Sequence, residues 1–158
     1  DSANAGMNVE TSLELINSSL LLRSSGENFA TMDVCTVRCS DGVISFSKSG
    51  AAPSYVKNEY GISKIESNAL PFGVMEQQSE INTEVFTVEN SAVVLMVSDG
   101  VSDVFVSEEE DGLIKKLETL ETVNPQVVAS VILNTAIELS GGKADDDMTV
   151  IAISIWKN

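Results

Sequence analysis

Six apolar residues run without a break from Ala92 to Val97 and stop at Ser98-Asp99-Gly100. The run is short, holds three valines and ends near a glycine, so it predicts a buried strand and not a helix. No other stretch restricts the fold as much, because a buried strand needs a sheet around it. Asp99, at the end of that strand, is expected at the sheet's rim. Gly100 is expected to turn the backbone sharply in a conformation other residues resist. A carboxylate held there is a natural ligand for Mg²⁺ or Mn²⁺, which prefer oxygen donors. By itself, Asp-Gly is more often an ordinary turn.

A second acidic stretch bears on the first. Lys143-Ala144-Asp145-Asp146-Asp147-Met148-Thr149-Val150 leads into the apolar segment from Ile151 to Trp156. Three adjacent carboxylates at a strand entrance repel one another unless water solvates them or a cation neutralises them. A solvated loop between a helix and a strand also accounts for them. The pair of motifs is more specific than either half. An apolar strand ending in Ser-Asp-Gly, with an Asp-Asp-Met-Thr-Val strand start, resembles the metal-dependent PPM-type (type 2C) Ser/Thr protein phosphatases.

Further stretches resemble the stage II sporulation protein E branch of those enzymes. They are Glu10 to Ser18, Leu20 to Ser24, Phe29 to Val34, Lys48-Ser49-Gly50-Ala51-Ala52-Pro53-Ser54 and Leu70-Pro71-Phe72-Gly73. The likeness covers residues 5 to 156. It implies an α+β fold, an antiparallel two-sheet β-sandwich flanked by helices. It implies two Mn²⁺ or Mg²⁺ ions in a complete domain, with a water between them attacking a phosphoserine or phosphothreonine in line. Asp99 and Asp146 match the family's ligands of one ion. Asp147 stands where the family often has Asn, which implies a supporting position. Gly100, Asp145 and Asp103 are weaker candidates, Asp145 and Asp103 reading first as solvated loop positions and only second as ligands. Gly50 to Pro53 and Leu70 to Gly73 read as turns, with a place near the site as the second reading.

The branch acts on a phosphorylated anti-sigma factor antagonist in sporulation and sigma-factor control, and that protein is the expected partner. One departure bears on activity. The family begins with two strands carrying a Gly-Asp and an Asp-Gly-x-Gly, and nothing before Glu10 matches them. Residues 1–158 are therefore expected to be a single domain, the C-terminal part of a phosphatase domain without its N-terminal strands. Such a chain is expected to be weakly active or inactive alone and to form a homodimer through open sheet edges. The other functional class is a non-catalytic interaction module that keeps the fold.

Charge and composition narrow the partners. Lys and Arg number 9 against 24 Asp and Glu, a net charge of −15, and there is no histidine. A surface this acidic argues against nucleic acid and anionic membrane, which attract clustered positive charge. Without imidazole, His-based acid–base catalysis and His-ligated zinc are excluded. Cys35 and Cys39 on one strand stand ~13 Å apart. A disulfide needs Cα atoms within about 7 Å, so free thiols are expected. Those thiols, the absence of a signal peptide and of any apolar run near ~18 residues suit a cytoplasmic chain. In the branch it resembles, membrane spans lie upstream.

The remaining pattern places the elements. Val9, Leu13, Ile16 and Leu20 recur at helical spacing, predicting a helix over 9–24 with Asn8 as its cap. It is a packing helix or a partner surface. Residues 31–39 and 43–48 read as strands joined by Ser40-Asp41-Gly42. Residues 55–57 and 62–65 form a second hairpin, and 82–88 a further strand. Ser107 is expected to cap a helix with Glu108-Glu109-Glu110 in its first turn and Leu113, Leu117 and Leu120 as its stripe, interrupted by Gly112. Asn124-Pro125 opens another helix, lined by Val128, Val131, Ile132, Thr135, Ala136 and Leu139 and stopped by Gly141-Gly142. Met148 to Trp156 is the last strand.

Overall fold

The computed structural model describes residues 9–23, 29–67, 69–75, 83–106 and 111–156. Its elements in chain order are α1 (Val9–Arg23), β1 (Met32–Arg38), β2 (Val43–Ser49), β3 (Ser54–Asn58), β4 (Gly61–Ile65), β5 (Thr83–Thr87) and β6 (Ser91–Val97). There follow α2 (Asp99–Ser102), a 3₁₀ turn (Asp103–Phe105), α3 (Gly112–Glu118), α4 (Pro125–Leu139) and β7 (Val150–Trp156). The fold is α+β with two antiparallel sheets, ordered β1-β2-β5 and β4-β3-β6-β7. No helix among the described residues is long and apolar enough to cross a membrane.

The chain divides into two compact units. One holds Thr36–Ser45, Ala52–Glu66 and Val85–Asn158. Its centre is β6, hydrogen-bonded to β3 on one side and β7 on the other. Val93, Leu95 and Val97 face a core with Val101, Phe105, Leu113, Leu117, Val128, Ile132 and Ala136. Ala92 and Val94, on the opposite face, are buried too. Burial on both faces is why this strand has no polar alternation. Each such side chain contributes roughly 1.5–3 kcal/mol by leaving water.

The helices over this core start where side chains satisfy their first amides. Asn124 caps α4, its Oδ1 accepting from Gln126 N at 3.0 Å and Val127 N at 3.3 Å, with Pro125 following as expected. Gly141 and Gly142 adopt φ of 70° and 83° after the helix ends. The start of α3 differs from expectation. It begins at Gly112 and is capped by Asp111, whose Oδ1 accepts from Leu113 N at 3.0 Å and Ile114 N at 3.2 Å. The expected cap and first turn, Ser107 to Glu110, lie outside the described residues. Gly112 opens the helix where it was expected to interrupt it, and it is a glycine because a Cβ there would stand 2.6 Å from the Phe105 carbonyl oxygen. Lys57 Nζ donates to the carbonyls of Leu117 and Leu120 at 2.6 and 2.5 Å, closing the other end of α3.

The other unit holds Asp1–Cys35, Phe46–Ala51 and Ser67–Glu84. Among the described side chains of α1, Leu13 and Asn17 are buried, while Ile16 is 37% exposed. The buried line thus passes through an asparagine and leaves out Ile16, which was expected in the apolar stripe. Asn17 is tolerated there because Gly73 N donates to its Oδ1 at 2.8 Å and its Nδ2 donates to the Met75 carbonyl at 3.3 Å. The expected cap Asn8 and stop Ser24-Ser25-Gly26 lie outside the described residues. Lys48, with its side chain only 3% exposed, forms an ion pair with Asp33. Burial lowers the pKa of Lys48, with the Asp33 carboxylate opposing that shift.

Both cysteines are free thiols. The strand expected to carry both ends at Arg38, so Cys35 is half-buried in β1 and Cys39 is exposed in the following turn. That turn closes at Gly42, whose φ of 71° and 3.0 Å Cβ approach to the Val88 carbonyl oxygen leave room only for glycine.

Candidate metal centre

The acidic motifs meet at the end of the β6–β7 ladder. That ladder runs in register from Ser91↔Trp156 to Val97↔Val150. Because β6 and β7 are antiparallel, the residues after Val97 and those before Val150 emerge at the same end. Ser98 N then donates to the Thr149 carbonyl at 3.0 Å. Ser98 Oγ donates to the Asp147 carbonyl at 2.9 Å and accepts from Thr149 N at 2.9 Å.

Asp99 does not end the strand, as expected, but opens the one-turn helix α2. Gly100 is helical and has no positive φ, so the expected sharp turn is absent. Its reason to be glycine is contact. A Cβ there would lie 2.7 Å from the Asp147 carbonyl oxygen and 3.3 Å from the Asp146 carbonyl carbon. The backbone of the second motif rests on the first at this point.

Asp99 and Asp146 are both exposed. Each carboxylate is oriented by the next residue's amide: Gly100 N donates to Asp99 Oδ1 at 3.0 Å, and Asp147 N to Asp146 Oδ1 at 2.7 Å. Gly100 is buried beneath them. Asp147 and Asp145 are exposed loop residues. Asp103 opens the 3₁₀ turn and is exposed, and Ser102 Oγ lies 3.4 Å from its Oδ1. Gly50 and Leu70 to Gly73 belong to the other unit, where Gly50 N donates to the Ala69 carbonyl at 2.9 Å and Phe72 exchanges backbone bonds with Ala30.

Among the described residues no three Asp, Glu, Cys or His side chains gather into a group able to hold a metal ion. Asp99 and Asp146 offer two exposed carboxylates, each oriented by an amide. Oxygen donors of this kind suit a hard cation that keeps most of its own waters, as Mg²⁺ does. The residue that the sequence reading passed over is Ser98. A serine just before Asp-Gly was the available signal; that it stands at a helix N-cap only the structure shows.

Known proteins resemble this chain in sequence and in fold. The profile of the family "Stage II sporulation protein E (SpoIIE)" matches residues 2–156. Stage II sporulation protein E of Priestia megaterium is 31% identical over 156 residues, covering 97% of this chain and 26% of that protein's length. The phosphatase domain of the cell fate determinant SpoIIE from Bacillus subtilis, presoaked with Mn, has a TM-score of 0.70 at 28% identity, over 97% of this chain and 68% of that one. A SpoIIE structure with the PP2C phosphatase domain and a fragment of the regulatory domain has a TM-score of 0.83 at 26% identity, over 97% and 46%. With the two acidic motifs joined at one sheet end, these matches show that the chain belongs to the stage II sporulation protein E family of PPM-type phosphatases.

Proposed function

We propose that the chain serves in a metal-dependent protein serine phosphatase, with residues 1–158 acting as one domain, and that Asp99 and Asp146 hold one divalent cation. The observation that carries this reading is the contact at Gly100, which leaves no room for a Cβ against Asp147. It seats the backbone of the second motif against the first, at the sheet end to which the β6–β7 pairing brings the two carboxylates. Mn²⁺ or Mg²⁺ is the fitting cation, and the Mn-presoaked relative supports that choice. Such ions, when bound, lower the pKa of a water and neutralise phosphate charge. The chain's own part is to hold and orient. Amides of Gly100 and Asp147 set the two carboxylates, and Asp147 and Asp145 add negative charge that draws a cation in.

The family points to a phosphorylated anti-sigma factor antagonist as substrate. Without cations, the −15 net charge of the chain would repel a phosphoprotein, so substrate binding and metal binding are coupled here. The test is turnover of that phosphoprotein by the full-length protein in excess Mn²⁺. Asp99→Asn is expected to remove most turnover, and full turnover in that variant would overturn the assignment. A second reading, a non-catalytic interaction module, is favoured by the lack of a three-ligand group among the described residues. In that case the unsubstituted full-length protein shows no turnover in the same assay.

A further inference from the structure

Ser98 sits at the N-cap of α2 in extended conformation, with φ −78° and ψ 165°. A serine there ordinarily turns its oxygen onto the free amides of the first helical turn. Ser98 makes no such bond. Its hydroxyl reaches across to the other motif, donating to Asp147 O and accepting from Thr149 N, both at 2.9 Å. The two bonds bracket the chain just after Asp146, and they begin where the β6–β7 ladder stops at Val97↔Val150.

We propose that Ser98 is a positioning residue for the cation site, setting where Asp146 stands relative to Asp99. This rests on the reading of those two aspartates as ligands. The strands do not need the clasp, since seven paired residues on each already align them. The bonds are at an exposed site, where water can replace a lost hydroxyl at little cost to folding. Beyond the ladder, among the described residues, the Ser98 hydrogen bonds and the Gly100 contact tie the Asp145–Asp147 loop to the Asp99 side, with Met148 beside the loop packed against the core. Losing the hydroxyl removes two of these bonds, the one to the Asp147 carbonyl and the one from Thr149 N, and loosens the loop and the Asp146 carboxylate with it. Groups that orient metal ligands without touching the metal commonly matter this way.

The experiment is Mn²⁺ titration of the 158-residue chain, followed by the electron paramagnetic resonance signal of the free aquo ion, with thermal melts alongside. Ser98→Ala and the near-isosteric Ser98→Cys are expected to weaken Mn²⁺ binding about tenfold with little change in melting temperature. Ser98→Thr keeps the hydroxyl and is expected to bind as the unsubstituted chain does. Should the alanine variant not fold, the cysteine and threonine pair carries the comparison. Asp99→Asn is the control. Undiminished binding in Ser98→Cys, or equal loss in Ser98→Thr, while Asp99→Asn has lost binding, overturns the inference and leaves the site reading standing. Undiminished binding in Asp99→Asn overturns the site reading, and this inference with it.

Discussion

Single residues here are chosen for contacts that their type alone does not reveal. Gly100 is a glycine because of the Asp147 carbonyl, 2.7 Å from where its Cβ would be. Gly100→Ala must push the Asp145–Asp147 loop away and is expected to cost about 1–3 kcal/mol, read from the urea midpoint. Asp111 serves two elements, capping α3 while accepting from Tyr55 Oη at 3.2 Å and pairing with Lys64 at 3.1 Å. Burial pushes its carboxyl pKa up, but Lys64, the Ile114 amide and Tyr55 more than offset this, leaving it below the usual range. A depressed carboxyl stabilises the fold above its unfolded pKa, near about 4, and that stability is lost as pH falls through the folded value. Asp111→Asn keeps a capping oxygen but loses the charge. Its stability is expected to fall less steeply below pH ~4 than that of the unsubstituted chain, by denaturant titration across pH.

The thiols differ for the same kind of reason. Burial first, and the Asp33 charge second, push the Cys35 thiol up to about 11, with Lys48 opposing. The thiolate is the reactive form. Cys39, exposed in the turn, is therefore expected to react first with a thiol reagent at pH 8. Unfolding without reductant is expected to release both as free sulfhydryls; fewer than two would contradict the structure.

At the scale of elements, the helices over β6 depend on end satisfaction as much as on their apolar faces. Asn124→Ala is expected to cost about 1 kcal/mol, the usual worth of an N-cap. Ile132→Ala, deep in the core between α4 and the sheet, is expected to cost about 2–5 kcal/mol. The tenfold difference in protection that each 1.4 kcal/mol implies is measurable by hydrogen exchange on α4. Lys57 shows an element held from outside: its ammonium closes the last carbonyls of α3 from strand β3. In α1 the reverse holds, since a polar residue, Asn17, is what ties the helix to the Gly73–Met75 loop.

For the molecule as a whole, the charge balance is lopsided in a particular way. Arg38, Lys48, Lys57 and Lys64 are engaged with Asp41, Asp33, the α3 carbonyls and Glu66 with Asp111. The excess of carboxylates over cations, −15 in all, is left to repel itself. Added NaCl is expected to raise the melting temperature by screening that repulsion. Mn²⁺ at equal ionic strength is expected to raise it further by binding the folded state, an increment that chelation and Asp99→Asn both remove. Equal effects of the two salts would mean that Mn²⁺ acts only through ionic strength.

What the sequence settled by itself was local or inherited. The apolar strand Ala92–Val97, buried but for the half-buried Met96, the turn at Ser40-Asp41-Gly42 and the α4 segment from Asn124-Pro125 to Gly141-Gly142 rest on signals a few residues long, and all three stand in the structure. Family membership is a matter of strings of residues, and it too was legible in Ser-Asp-Gly and Asp-Asp-Met-Thr-Val. The rest depended on neighbours that no short window contains. Asp111 in place of Ser107 as the α3 cap depends on which side chain the core leaves beside the first amides. The burial of Asn17 in place of Ile16 depends on a loop 56 residues away that can satisfy its amide. Gly100 and Ser98 owe their roles to residues some 50 positions on, and Ser98 Oγ meets Asp147 across a separation of 49. Hydrophobic period and turn chemistry act along the chain, whereas close approach and hydrogen-bond satisfaction act through space. Only the folded antiparallel pairing of β6 and β7 decided that the two acidic motifs share one end of a sheet.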